Sequence, residues 1–194
     1  MNHFVIGTLL SVAFWTSVVV VVGLGIAASA VTMRTPRRWL VIASAAALVV
    51  GIVLVVLPHG NPLPGVSVVL GLEVLALSVL GGGPAALFVL AIASKGTVQE
   101  GVHGGIVLER EGAASAGEVL RGGTMIGVFE RIATTGSIMA GFPEAVAVVV
   151  ALKSVGRFSE LDVAEARERF IIGSLVSLVW AAACGGLFRF AIGL

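Results

Sequence analysis

The chain has 194 residues, of which 58% are hydrophobic and 12% charged, and its formal net charge is +1. Because an ordinary soluble domain has about 25% charged residues, and because several apolar runs here reach the roughly 20 residues of a membrane span, composition excludes such a domain. It predicts an all-α, polytopic membrane protein. The basic residues form no single patch, so nucleic acid is not an expected partner. The single cysteine, Cys184, excludes an intrachain disulfide, and no metal or cofactor is predicted.

The first half of the chain predicts three membrane helices, over residues 4–31, 37–57 and 66–94. The third contains Gly81-Gly-Gly-Pro84, which predicts a break or a sharp kink. We favour a single kinked crossing. The alternative is a discontinuous helix of the kind found at transporter binding sites.

Residues 95–121 form the one long polar segment of the sequence, and we expect a cytoplasmic loop within a single transmembrane domain that spans residues 1–194. Residues 106–108 are apolar enough for a short strand. A loop of this length is above the usual range, so it is either functional or mobile.

The second half of the chain predicts three further helices, over residues 122–140, 143–158 and 170–192, with a charged link at 159–169. About six transmembrane helices result. No internal repeat is visible, so an inverted-repeat transporter is not indicated.

The distribution of basic residues predicts the orientation of the chain in the membrane. Ten of the twelve basic residues follow helices one, three and five, namely Arg34, Arg37, Arg38, Lys95, Arg110, Arg121, Lys153, Arg157, Arg167 and Arg169. The positive-inside rule places that side in the cytoplasm, so both termini are expected outside.

Three ionisable residues fall within the predicted spans. Glu130 and Arg131 are adjacent in helix four, and Glu73 lies in helix three. Such residues cost roughly 2.5–3.5 kcal/mol to insert and often mark functional sites. The alternative is a buried ion pair that only holds the helices together. Adjacent helical residues point about 100° apart. We therefore predict that Arg131 pairs with Glu73. Glu130 is then left without an obvious partner, to bond Thr134, Thr135 or a helix end in an ion- or proton-responsive site.

Lys153, Ser154 and Arg157 form a second constellation at the inner end of helix five. The two cations share one helix face at i,i+4 spacing. Ordinary positive-inside anchoring and a site for an anion or a lipid phosphate both fit this arrangement. Together with Glu130 and Arg131, these residues are hypothesised to surround a cavity in the inner leaflet.

Three segments of the second half resemble a known pattern: G-T-M-I-G-V-F-E-R at 123–131, A-L-K-S-V-G-R-F-S-E-L at 151–161 and E-R-F-I-I-G-S-L-V-S at 168–177. The pattern is similar to one found in small integral membrane proteins of bacteria, particularly actinobacteria, whose family has no known activity. The resemblance implies a bacterial cytoplasmic membrane location and marks the same residues, without assigning them a role.

These observations predict a small transporter or channel-like protein with a site at Glu73, Glu130, Arg131 and Thr134. The first alternative is a membrane-embedded protein or enzyme acting on a lipid phosphate, and the second is an accessory subunit of a membrane complex. Metal-dependent and nucleophilic signatures are missing from the sequence, so catalysis is the weaker expectation. The bilayer, including anionic lipid, and a second copy of the chain are the expected partners.

Overall fold

The computed structural model describes residues 2–57, 60–93, 99–100, 106–107, 118–119, 123–156 and 164–193. It confirms an all-α bundle. The helices are α1 (Asn2–Arg34), α2 (Arg38–Val56), α3 (Pro64–Ala93), α4 (Gly123–Met139), α5 (Ala145–Gly156) and α6 (Ala164–Ala191).

Four of these helices, α1, α2, α3 and α6, are long and apolar enough to cross a membrane. The coarse architecture is therefore that of a multi-pass membrane protein. Helices α4 and α5 have 17 and 12 residues, which correspond to about 25 Å and 18 Å at 1.5 Å per residue. Full crossings by these two helices stay a prediction.

Helices α3 and α6 form the centre of the bundle and make its most extensive contact. Leu70, Val74 and Leu77 of α3 and Leu187 of α6 are completely buried there. Helix α1 packs on α2 and α3, and α4 packs on α3 and α6, whereas α5 packs mainly on α4. The apolar side chains on the outer surface are exposed, as expected for helices in contact with lipid.

Helix α3 continues through Pro84, so the predicted break at residues 81–84 and the alternative of a discontinuous helix are both wrong. The kink favoured within a single crossing stays a prediction. A proline normally disfavours the helical conformation in the preceding residue because its ring meets that residue's Cβ. Gly83 has no Cβ. Gly81 and Gly82 serve close packing instead, since the Trp180 ring lies against Gly81 and the Arg131 side chain lies against Gly82.

Helix α6 begins at Ala164, six residues before the predicted start. The stretch 164–169 was predicted as part of a charged link because four of its six residues are ionisable. In the structure it forms the first turns of α6, and Arg169 at its end is buried.

The connections between the helices lie at two opposite ends of the bundle. At one end Trp15 Nε1 donates a hydrogen bond to the carbonyl of Gly60 (3.2 Å). At the same end, Asn61 Oδ1 lies close to Gly193, 3.5 Å from the position that a Cβ would occupy, and the Arg189 side chain lies against Gly141. The α1–α2 turn, the end of α5 and the start of α6 lie at the opposite end.

Among the residues that the structure describes between α3 and α4, three two-residue strands occur: β1 (Gln99–Glu100), β2 (Ile106–Val107) and β3 (Glu118–Val119). They form an antiparallel sheet in the order β1-β2-β3. The strand predicted at residues 106–108 is confirmed at Ile106–Val107.

Candidate functional site

The helical hairpin of α4 and α5 brings its charged residues together. The chain reverses at Gly141, whose φ of +86° is favourable for glycine. Phe142 N–H bonds the Ser137 carbonyl at 2.8 Å. Glu130 lies eleven residues before this glycine and Lys153 twelve after it, so an antiparallel hairpin places these two side chains at the same level.

Glu130 and Lys153 form an ion pair across the hairpin through Glu130 Oε2. Both side chains are largely enclosed, with 9% of the Glu130 side chain and 14% of the Lys153 side chain exposed. The Lys153 ammonium also lies 5.5 Å from the centre of the Phe170 ring, a favourable cation–π distance. The second carboxylate oxygen, Oε1, is buried without a hydrogen-bond partner in the described part of the chain.

Arg131 points toward α3 and α6 and is 6% exposed. Its Nη1 donates a hydrogen bond to Ser177 Oγ at 3.2 Å. The guanidinium fills space left by two glycines, since a Cβ on Gly127 would lie 3.2 Å from Nη1 and Gly82 lies against Cδ. Its Nε has no hydrogen-bond partner among the described residues.

Two adjacent threonines on α4 have different roles. Thr135 and Ser78 share a hydrogen bond of 2.6 Å, and Thr135 Oγ1 lies 3.0 Å from the Ala181 carbonyl, so α3, α4 and α6 are joined. Thr134 is completely buried, and its Oγ1 has no hydrogen-bond partner within the described ranges. The predicted Glu130–Thr134 bond is therefore not formed. The prediction that Glu130 lacks an obvious partner is wrong, because Glu130 pairs with Lys153.

Glu73 lies apart from this cluster. It faces α1, where a Cβ on Gly23 would lie 3.6 Å from Glu73 Oε1. Its Oε2 is buried and has no hydrogen-bond partner in the described residues. The predicted Arg131–Glu73 pair is wrong because Glu73 and Gly82, which Arg131 contacts, are nine residues apart on α3. That separation puts them on opposite sides of the helix and about 13 Å apart along its axis.

A cavity of about 640 Å³ opens at the end of the bundle that contains the α1–α2 turn. Its lining includes five cationic side chains, from the α1–α2 turn, α2, α4, α5 and α6: Arg37, Arg38, Arg131, Lys153 and Arg169. No carboxylate occurs among the described lining residues. Four hydroxyl side chains also face it, namely Thr32, Thr124, Ser174 and Ser177.

The remainder of the lining is apolar and includes Leu87 and Phe88 of α3, Ile126 of α4 and Phe170 of α6. Arg131 lies eight residues inside α4, about 12 Å from the start of that helix. Arg37 and Arg38 lie at the bundle's end and are exposed. The cations therefore extend from the rim of the cavity to its interior, alongside apolar walls.

The sequence singled out some of these residues and missed others. Lys153 and Arg131 line the cavity. Ser154 is exposed and donates instead to the Val150 carbonyl of its own helix at 2.9 Å, and Arg157 lies outside the described residues. Arg37, Arg38 and Arg169, which the sequence marks as orientation signals, also line the cavity. The three basic loops predicted at one end of the bundle are a signal that these charges converge.

Comparison of the chain with protein-family models, curated proteins and solved structures found no match.

Proposed function

We propose that this membrane protein binds a phosphate-bearing lipid in the cavity at the basic end of the bundle. One observation carries the proposal: five cations from separate parts of the chain line a single cavity in which no described lining residue is acidic. Hydrogen bonds between cationic donors and a phosphate are about twice as strong as neutral ones. Basic pockets between membrane helices are typical sites for anionic head groups.

The apolar walls favour a lipid over a free anion. A volume of about 640 Å³ lies within the roughly 300–1,000 Å³ range of pockets for organic ligands and greatly exceeds what one phosphate needs. Leu87, Phe88 and Ile126 would contact the first methylene groups of an acyl or prenyl chain while Arg131 meets the phosphate. The positive-inside rule places this end in the cytoplasmic leaflet, and that orientation remains a prediction.

Transport through the predicted ion or proton site is the less supported function. Glu73 faces α1 on one side of α3, whereas Arg131 contacts the other side, so these residues do not form one site. Transport, assembly as a homo-oligomer, an accessory role and a bacterial cytoplasmic membrane location all stay predictions.

The test is equilibrium binding by calorimetry on purified protein in a non-ionic detergent. Dodecyl phosphate, inorganic phosphate and a short-chain phosphatidylcholine are titrated in turn. We expect dodecyl phosphate to bind at least tenfold more tightly than either of the others, because only it combines a net negative charge with an alkyl chain.

Variants that each remove one positive charge show where dodecyl phosphate binds. Arg131→Gln is expected to weaken dodecyl phosphate binding by about tenfold or more, since a hydrogen bond to a charged group contributes about 1.5–3 kcal/mol. Arg38→Gln, at the exposed rim, is expected to weaken it only a few-fold. Arg34→Gln at the same end and Arg189→Gln at the opposite end are matched controls outside the cavity, and neither should change the affinity.

Two results would contradict the proposal. Equal losses in Arg34→Gln and Arg38→Gln would show a general effect of surface charge. Equal affinities for inorganic and dodecyl phosphate would show that the apolar walls do not take part, and that the ligand is a free anion.

A further inference from the structure

We infer that phosphate binding in this cavity is coupled to proton uptake, with Glu130 as the residue that takes the proton. The inference rests on the proposed function, because it describes what happens when an anion enters that cavity. It assigns Glu130 a role as a coupling residue, whereas the cavity cations bind the ligand.

The Lys153 ammonium group lies between the Glu130 carboxylate and the cavity that would hold the phosphate. Lys153 lines the cavity and also forms the ion pair with Glu130. A phosphate that enters the cavity therefore competes with Glu130 for the same ammonium. Because Oε1 of Glu130 already has no partner in the described part of the chain, losing Lys153 at Oε2 would leave the whole carboxylate without a hydrogen bond.

The other helices around Glu130 offer few replacements. Helix α5 contributes Lys153 alone as a charged residue, and the only charged residue of α3 is Glu73, which faces α1. Helix α6 contributes Arg169 to the cavity lining, while its neighbours Arg167 and Glu168 are exposed.

On α4 itself, Arg131 is the adjacent charge, and it also lines the cavity. Both cations near Glu130 would therefore engage the incoming phosphate.

Local charge then favours a neutral Glu130. A phosphate dianion that enters the cavity brings two negative charges next to Lys153 and Arg131, the two cations that flank Glu130. Burying an ionised carboxylate without a partner is very costly, and such groups become neutral instead. The proton comes from hydronium or the buffer acid at the mouth of the cavity, whose bond to that proton breaks as the O–H bond of the Glu130 carboxyl group forms.

The sign of the pH effect follows from linkage. If binding takes up a proton, affinity rises as the pH falls, by up to about tenfold per pH unit for one proton. By reciprocity, a bound phosphate favours the protonated state of Glu130 by the same factor.

The experiment measures protons directly. Dodecyl phosphate is titrated calorimetrically into the full chain in two buffers that differ in ionisation enthalpy, and the difference in heat gives the number of protons taken up. Wild type is compared with Glu130→Gln, in which the coupling residue cannot ionise. Glu73→Gln is the matched control, because it removes the other carboxylate of the helical core without touching the cavity lining.

We expect wild type and Glu73→Gln to take up about one proton more per bound ligand than Glu130→Gln. The ligand's own protonation is common to all three proteins and cancels in this difference. Equal proton numbers in wild type and Glu130→Gln would overturn the inference while leaving the proposed function intact. Absence of dodecyl phosphate binding to wild type would instead contradict the proposed function.

A second measurement keeps the inference testable if Glu130→Gln fails to fold. Short-chain phosphatidylglycerol has a fixed single negative charge, so any proton taken up when it binds to wild type must go to the protein. Proton uptake near pH 7 is the expected result, and binding without uptake would overturn the inference.

Discussion

The close contact between Gly81 of α3 and Trp180 of α6 gives a stability prediction that tests the packing of the bundle centre. A Cβ at Gly81 would lie 2.7 Å from Trp180 Cε2 and 2.9 Å from its Nε1. The indole cannot retreat without cost, because it is 8% exposed and its Nε1 donates to the Leu77 carbonyl at 3.1 Å. Gly81→Ala must therefore displace the ring and strain or break that hydrogen bond.

The expected magnitude comes from three contributions. Overpacking costs about 1–3 kcal/mol and the lost hydrogen bond about 0.5–1.5 kcal/mol, while replacing glycine by alanine in a helix contributes about 0.8–1 kcal/mol of stabilisation. The net expectation is a loss of about 1–3 kcal/mol. Gly186→Ala is the control, because no atom lies within 4 Å of its Cβ position, and it should gain up to about 1 kcal/mol.

Thermal unfolding in detergent, followed by tryptophan fluorescence, measures the difference. At about 2–4 °C per kcal/mol for a chain of this size, the two variants should melt roughly 5–15 °C apart. Adding Trp180→Phe to Gly81→Ala should recover part of the loss, because the smaller ring relieves the collision. Equal melting temperatures for Gly81→Ala and Gly186→Ala would refute the packing described here.

Two further predictions concern side chains buried in the bundle. Thr135→Val should lower the free energy of unfolding by about 1–3 kcal/mol, because Ser78 and the Ala181 carbonyl lose the Thr135 hydroxyl as a hydrogen-bond partner. Thr134→Val should not lower the melting temperature, since the Thr134 hydroxyl has no hydrogen-bond partner among the described residues. Equal effects in the same unfolding assay would contradict this assignment. Cys184 is completely buried, so it should resist labelling by a maleimide in the folded protein and react after denaturation in dodecyl sulfate. Mass spectrometry measures the labelling. Rapid labelling of the folded protein would show that α6 is packed differently.

Much of the fold was predictable from the sequence because apolar length alone specifies membrane helices. The apolar runs of α1, α2, α3 and α6 each fall within or above the roughly 17–25 residues of a membrane span, and their ends follow from prolines and charges. The continuity of α3 was not predictable from composition. Gly81 and Gly82 are helix-weakening residues in isolation, and only the facing Trp180 and Arg131 side chains show that these glycines provide packing space.

Glu130, Arg131 and Lys153 were predictable as site residues, whereas the pairs that they form were not. Glu130 and Arg131 were expected to point in different directions, and they do. Depth in the bilayer suggested Glu73 as the partner of Arg131, but depth ignores direction around the helix axis, which places Glu73 on the far side of α3. The near-symmetric spacing of Glu130 and Lys153 about Gly141 was the signal that predicts the pair actually formed.

The most direct test of the lipid-binding account is to locate the lipid on the protein. A phosphatidic acid with a photoreactive group near the top of one acyl chain is incorporated into nanodiscs with the wild-type chain, irradiated, and the adducts are mapped by mass spectrometry. The account predicts adducts concentrated on Leu87, Phe88 and Ile126 and strongly reduced in Arg131→Gln. Adducts spread over outward-facing residues such as Leu72 and Val179, at the same level in both proteins, would contradict it.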